Sequence, residues 1–183
     1  MKYLRALAAL PLFTAACCAP VPEPEPSPAP ATVQPPAPAP AAPQPIAEPT
    51  YDNWLDAPQT AGDWTYGQDP DETMAVFAQS GTENTAPFII RCDVKRRTIS
   101  LARRGTNAAS TPMRIRTETA QRLLTAQPVP GQRLLVAVTI PANDRLLDAI
   151  ALSRGRFAVE TGGMETLYLP SWPEITRVVE DCR

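Results

Sequence analysis

The sequence predicts a mainly β domain of the α+β kind over residues 51–183: an antiparallel β-sandwich or small sheet with two short helices, the last C-terminal and disulfide-linked. Three observations lead there. Beyond Tyr51, turn residues punctuate short apolar segments that alternate with period two, as strands with one wet face do. Two segments near the C-terminus show helical spacing instead. Proline, which cannot donate to a ladder, is concentrated ahead of the domain: of 23 prolines, more than half fall between Pro20 and Pro49. With 44% apolar residues overall, the part after that tract can bury a core.

The strands follow in chain order. "DWTYGQD" and "TMAVFAQ" are succeeded by "PFIIRCD", in which Phe88, Ile90 and Cys92 share one face and Arg91 takes the other. "RTISLAR" comes next. "PMRIRTE" alternates cleanly, with Met113, Ile115 and Thr117 opposing Arg114, Arg116 and Glu118. "RLLVAVTI" puts Leu134, Val136, Val138 and Ile140 on one face, and "RFAVE" and "TLYLP" complete the set. "NDRLLDAIALS" is the first helix: Leu146, Leu147, Ile150 and Ala151 recur at helical spacing, Asn143 or Asp144 is the N-cap, and Gly155 follows as a stop. "SWPEITRVVEDC" is the second, with a capping box between Ser171 and Glu174, Pro173 in the first turn, and a stripe of Trp172, Ile175, Val179 and Cys182.

Cys92 thus faces inward from a strand and Cys182 from the last helix. In an oxidising compartment such an isolated pair forms a disulfide, fastening the helix to the sheet. The alternative is a redox-active thiol pair, for which a CxxC spacing is absent.

The N-terminal part carries an address. Lys2 and Arg5 precede an uncharged apolar run, Ala6 to Ala16, which is too short to span a bilayer and reads as an export signal over residues 1–16. Phe13, Thr14, Ala15 and Ala16 lead into Cys17. This stretch resembles the lipobox of bacterial lipoproteins, with Thr14 where Leu is most common. The resemblance implies cleavage before Cys17, lipidation of Cys17, and attachment to a membrane through the acyl chains. Cys18 is then the second mature residue. The lack of Asp there implies, by resemblance to lipoproteins of Gram-negative bacteria, the outer membrane facing the periplasm. The alternative is ordinary secretion of a soluble product. Residues 17–50 form a Pro/Ala-rich tether favouring polyproline II, either a spacer or a docking segment for a proline-recognising partner.

For chemistry the sequence offers little. It has no histidine, which removes the commonest general base and metal ligand. Lys95 is the one lysine besides Lys2, and it sits in a turn. Gly162 and Gly163 read as a turn rather than a phosphate loop. "DPDE" at 69–72 lacks the spacing of a calcium loop and reads as a solvated turn. No cofactor, metal or catalytic residue is assigned. The expected role is a non-catalytic binding or structural accessory, with an envelope protein as a possible partner; an enzyme using paired carboxylates is the weaker class. The net charge of -2 predicts no global attraction to nucleic acid.

Charge layout adds one alternative. Residues 51–90 hold acids and no Lys or Arg, whereas residues 91–158 hold most of the arginines. If neighbouring strands bring Arg91, Arg114 and Arg116 onto one face, they make a surface for lipopolysaccharide, anionic lipid or peptidoglycan. Otherwise the acidic first segment packs beside the basic middle and neutralises it.

The pattern "W…FIIRC…ISL…MRIRT…LLVAV…F…C" resembles small periplasmic proteins of the invasion-associated locus B type and of the type VI secretion-associated VasI/TagO type. The tail from Ser153 resembles that of uncharacterised lipoproteins of Gram-negative bacteria. These likenesses imply a tryptophan-led β-sandwich with a disulfide to the C-terminal segment, over residues 62–183, and bring no active-site residues.

Overall fold

The computed structural model describes residues 44–46, 51, 53–105, 109–132 and 134–183. The export signal, Cys17, Cys18, Arg133 and most of the proline tract lie outside the described residues. The domain is mainly β, with one nine-stranded antiparallel sheet and two short helices. The strands are β1 (Asp63–Asp69), β2 (Glu72–Ala78), β3 (Phe88–Asp93), β4 (Thr98–Arg104), β5 (Thr111–Arg116), β6 (Gln121–Pro128), β7 (Leu135–Pro141), β8 (Arg156–Thr161) and β9 (Leu167–Pro170). Helix α1 (Arg145–Ala151) joins β7 to β8, and α2 (Pro173–Asp181) ends the chain.

Strands β1 to β4 form a meander, after which the spatial order departs from chain order: β1-β2-β3-β4-β7-β6-β5-β8-β9. The departure turns on β6, a strand that the alternation does not announce. Its residues up to Ala126 pair with β5, while Gln127 and Pro128 pair with Ala137 and Val136 of β7. Adjacent Leu123 and Leu124 blur its period, because one of them must face solvent; Leu123 is 64% exposed.

The predicted inward residues of β3 and β5 are buried: Phe88, Ile90 and Cys92, then Met113, Ile115 and Thr117. At the centre, Trp64 meets Phe77 and Phe88 edge-on with ring centroids 5.2 and 6.4 Å apart, and Phe88 meets Phe157 at 6.3 Å. The Trp64 indole N–H donates to the Pro170 carbonyl over 2.8 Å, so the first and last strands of the order approach each other across the core.

Four expectations are corrected. Leu134 is not on the β7 face; it precedes the strand at φ 61 and is 52% exposed. Strands β8 and β9 have no wet face, because Trp54 and Ala57 of the preceding segment cover Ala158 and Tyr168 on their outer side. Trp172 leaves the α2 stripe and is 38% exposed, with Val178 joining Ile175, Val179 and Cys182 in the core. The capping box does not form. Trp172 is the N-cap, which sets Ser171 one residue before it and Glu174 at the second helical position, and neither side chain makes the reciprocal bonds.

Helix α1 is capped by Asp144, whose side chain accepts from the Leu146 amide at 2.8 Å. The chain leaves α1 through Leu152, and Gly155 serves the turn into β8 at φ 77 rather than ending the helix itself. Helix α2 packs its buried face on β1, β2 and β3. The Cys92–Cys182 disulfide, with Cα atoms 5.7 Å apart, binds it to β3.

Candidate functional site

Arg91, Arg114 and Arg116 all point away from the core, but the sheet does not bring them together. Arg91 is on β3, whose neighbours are β2 and β4; Arg114 and Arg116 are on β5, between β6 and β8. Three strands, β4, β7 and β6, stand between them in the sheet. Arg91 is engaged by Glu72 on β2, and in the adjoining turns Lys95 pairs with Asp71 and Arg96 with Asp93. Here the acidic first segment does neutralise the basic middle. Two acids of the "DPDE" turn are spent on these pairs, and among the described residues no group of three acidic or sulfur side chains converges as a metal site.

Arg114 and Arg116 make a different arrangement. Glu160 on β8 lies directly opposite Arg114 and is fully buried (0% exposed). Arg114 Nε stands 2.7 Å from Glu160 Oε2, and Arg116 Nη1 donates to Oε1 over 3.1 Å. The Arg116 guanidinium also lies 5.8 Å from the Trp54 ring centroid. Tyr168 on β9 is close enough to feel the carboxylate: burial first, and Glu160 second, push its phenol pKa up. A carboxylate deprived of water is tolerable where opposite charge meets it at hydrogen-bonding distance. Both guanidinium groups thus meet this one carboxylate on the outer side of β5 and β8.

Beside Arg114, across the β5–β6 pairing, stands exposed Leu123; Gln121 is likewise opposite Arg116. Together with Pro112 and Ile46 these side chains line an open groove of about 400 Å³. Its floor is apolar and one wall carries a guanidinium. Arg91 lines a separate groove of about 310 Å³, where Asp71, Glu72 and Asp93 balance Arg91, Lys95 and Arg96. Glu160 and Leu123 went unnoticed in the sequence. A Glu on an otherwise apolar strand, opposite arginines of another strand, is the signal that could have exposed the first.

Arg103 is a second buried cation. Its guanidinium donates to the carbonyls of Pro87, Arg104 and Glu165, tying β4 to the β8–β9 loop, and burial lowers its pKa to about 10. Its contacts are to backbone carbonyls, as befits a structural clamp.

In comparison with known proteins, the chain matches no family model, no curated protein and no solved structure.

Proposed function

We propose that the chain is a lipid-anchored cell-envelope protein whose domain, residues 51–183, serves as a non-catalytic binding or structural accessory. The observation that carries this reading is the Cys92–Cys182 disulfide, formed between the two inward-facing cysteines of the domain. A bond of this kind persists in oxidising compartments, the destination that Met1 to Cys17 encodes. Lipidation at Cys17 and placement at the outer membrane belong to the same proposal. Mass spectrometry of the mature protein tests the anchor: an N-terminus at Cys17 carrying acyl mass is expected, and a bare N-terminus after Ala16 overturns it. In-cell crosslinking of the anchored protein tests the role, and capture of one defined envelope protein is the expected result.

A second reading is favoured by the groove itself, which Arg114 lines, with Arg116 two residues along the same strand. On that reading this face binds an anionic envelope ligand: lipopolysaccharide, anionic lipid or peptidoglycan. Arg91 is engaged elsewhere and is not part of it. The expected result is retention on lipopolysaccharide-bearing vesicles that falls with salt and weakens in Arg116→Gln. Salt-independent retention, or none, removes this reading.

A further inference from the structure

Residues 44–46 belong by sequence to the proline tract, yet they are seated on the domain. The Gly163 amide donates to the Pro45 carbonyl over 3.2 Å. A Cβ on Gly162 would collide first with the Gln44 carbonyl oxygen, then crowd Thr111 Oγ1 at 2.9 Å and Pro112 Cγ at 3.1 Å. A Cβ on Gly163 would collide with the Gln44 side chain. Gly163 also has φ +70, which favours glycine for the turn alone. Gly162 has no such backbone demand, so its missing side chain serves close approach: of Gln44 above all. Two residues on, Ile46 is half-buried and lines the groove with Pro112, Arg114, Gln121 and Leu123.

We propose that the Gly162–Gly163 turn is a docking notch for a proline-containing segment, and that its resident occupant is the chain's own Gln44–Pro45–Ile46. The parts are matched. The notch supplies one amide donor and space where two side chains would stand; the segment supplies one carbonyl and an apolar residue for the groove. Proline lowers the entropy of ordering the segment, because φ at Pro45 is fixed and Gln44 before it is held to extended conformations. The tract is thereby pinned to the outer face of β5, β6 and β8, ahead of the domain's first strand. The pinned segment also forms one wall of the groove beside Arg114. This inference is independent of lipidation and of any anionic ligand.

Hydrogen exchange of the full mature chain, read amide by amide by NMR, tests it. The adjacent Gly162 amide donates to the Pro112 carbonyl at 3.0 Å and serves as an internal control. In a triple variant, Gln44→Gly, Pro45→Ser and Ile46→Gly, exchange at Gly163 is expected to accelerate roughly tenfold or more while Gly162 is unchanged. A synthetic peptide of residues 41–48, added to that variant, is expected to restore the protection. A Gly163 rate that the triple variant leaves unchanged overturns the proposal. So does failure of the peptide at millimolar concentration, because the notch would then not recognise the segment. Protection in the unmodified chain that depends on protein concentration would assign the occupant to a second copy, and overturns the intramolecular assignment.

Discussion

Glu160 shows how much one side chain can hold. It is fully buried, and its two partners, Arg114 and Arg116, are themselves about four-fifths covered. Glu160→Gln keeps the shape and removes the buried charge that both Arg114 and Arg116 meet. Destabilisation of about 3–5 kcal/mol is expected, read as a lower urea midpoint with an unchanged slope. Leu134 poses the opposite case. An exposed β-turn residue at φ 61 bears left-handed strain that glycine would not, so Leu134→Gly is expected to raise stability by up to about 1 kcal/mol in the same measurement. Neither effect is visible in the sequence, where Leu134 reads as one more apolar position in phase with Val136. Period two assigns a face; it does not say where the strand begins.

At the scale of elements, α1 hangs on Asp144. Its Oδ1 caps the helix at Leu146, and its Oδ2 accepts from Arg122 on β6 over 2.7 Å. The bond from Arg122, with help from the Leu146 amide, holds its carboxyl below the usual carboxylate range, against burial. A depressed folded pKa contributes stability that is fully present above the unfolded value, about 3.9, and is lost as pH falls through the folded one. Stability should therefore drop below about pH 4, and Asp144→Asn should flatten that drop while retaining a cap. Asp144→Ala should cost about 1 kcal/mol near neutral pH. Thermal midpoints measured from acid to neutral pH check all three. Helix α2 depends on a covalent bond instead. The disulfide closes a loop spanning a sequence separation of 90. Replacing both cysteines by alanine is expected to cost up to about 4–5 kcal/mol by chain entropy. Reductant should lower the thermal midpoint of the native protein and leave that of the double variant where it is. The stapling was legible, since both cysteines fell on apolar faces. The capping box at Ser171 was misread because Pro173 occupies the first helical position, which makes Trp172 the cap.

For the whole molecule, the decisive contact is the Trp64 indole bond to Pro170. It joins β1 to β9 over 106 residues of chain, at the centre of the aromatic cluster. Trp64→Phe would leave a buried carbonyl without its donor and a space beside Phe77; a loss of about 2–4 kcal/mol is expected in urea unfolding. The amino-acid sequence by itself determined the β class, eight of the nine strands, the inward faces of β3 and β5, both helices and the disulfide partners. Each of these follows from local periodicity, or from the scarcity of cysteine. Tertiary structure alone decided that β7 pairs with β4, that β6 changes partner at Ala126, that Arg91 stands apart from Arg114 and Arg116, and that Gln44–Ile46 rests on Gly162 and Gly163. Alternation along a strand tells each side chain which face it takes. Which strand lies beside it is set by long-range packing and loop closure, on which a local pattern carries no information.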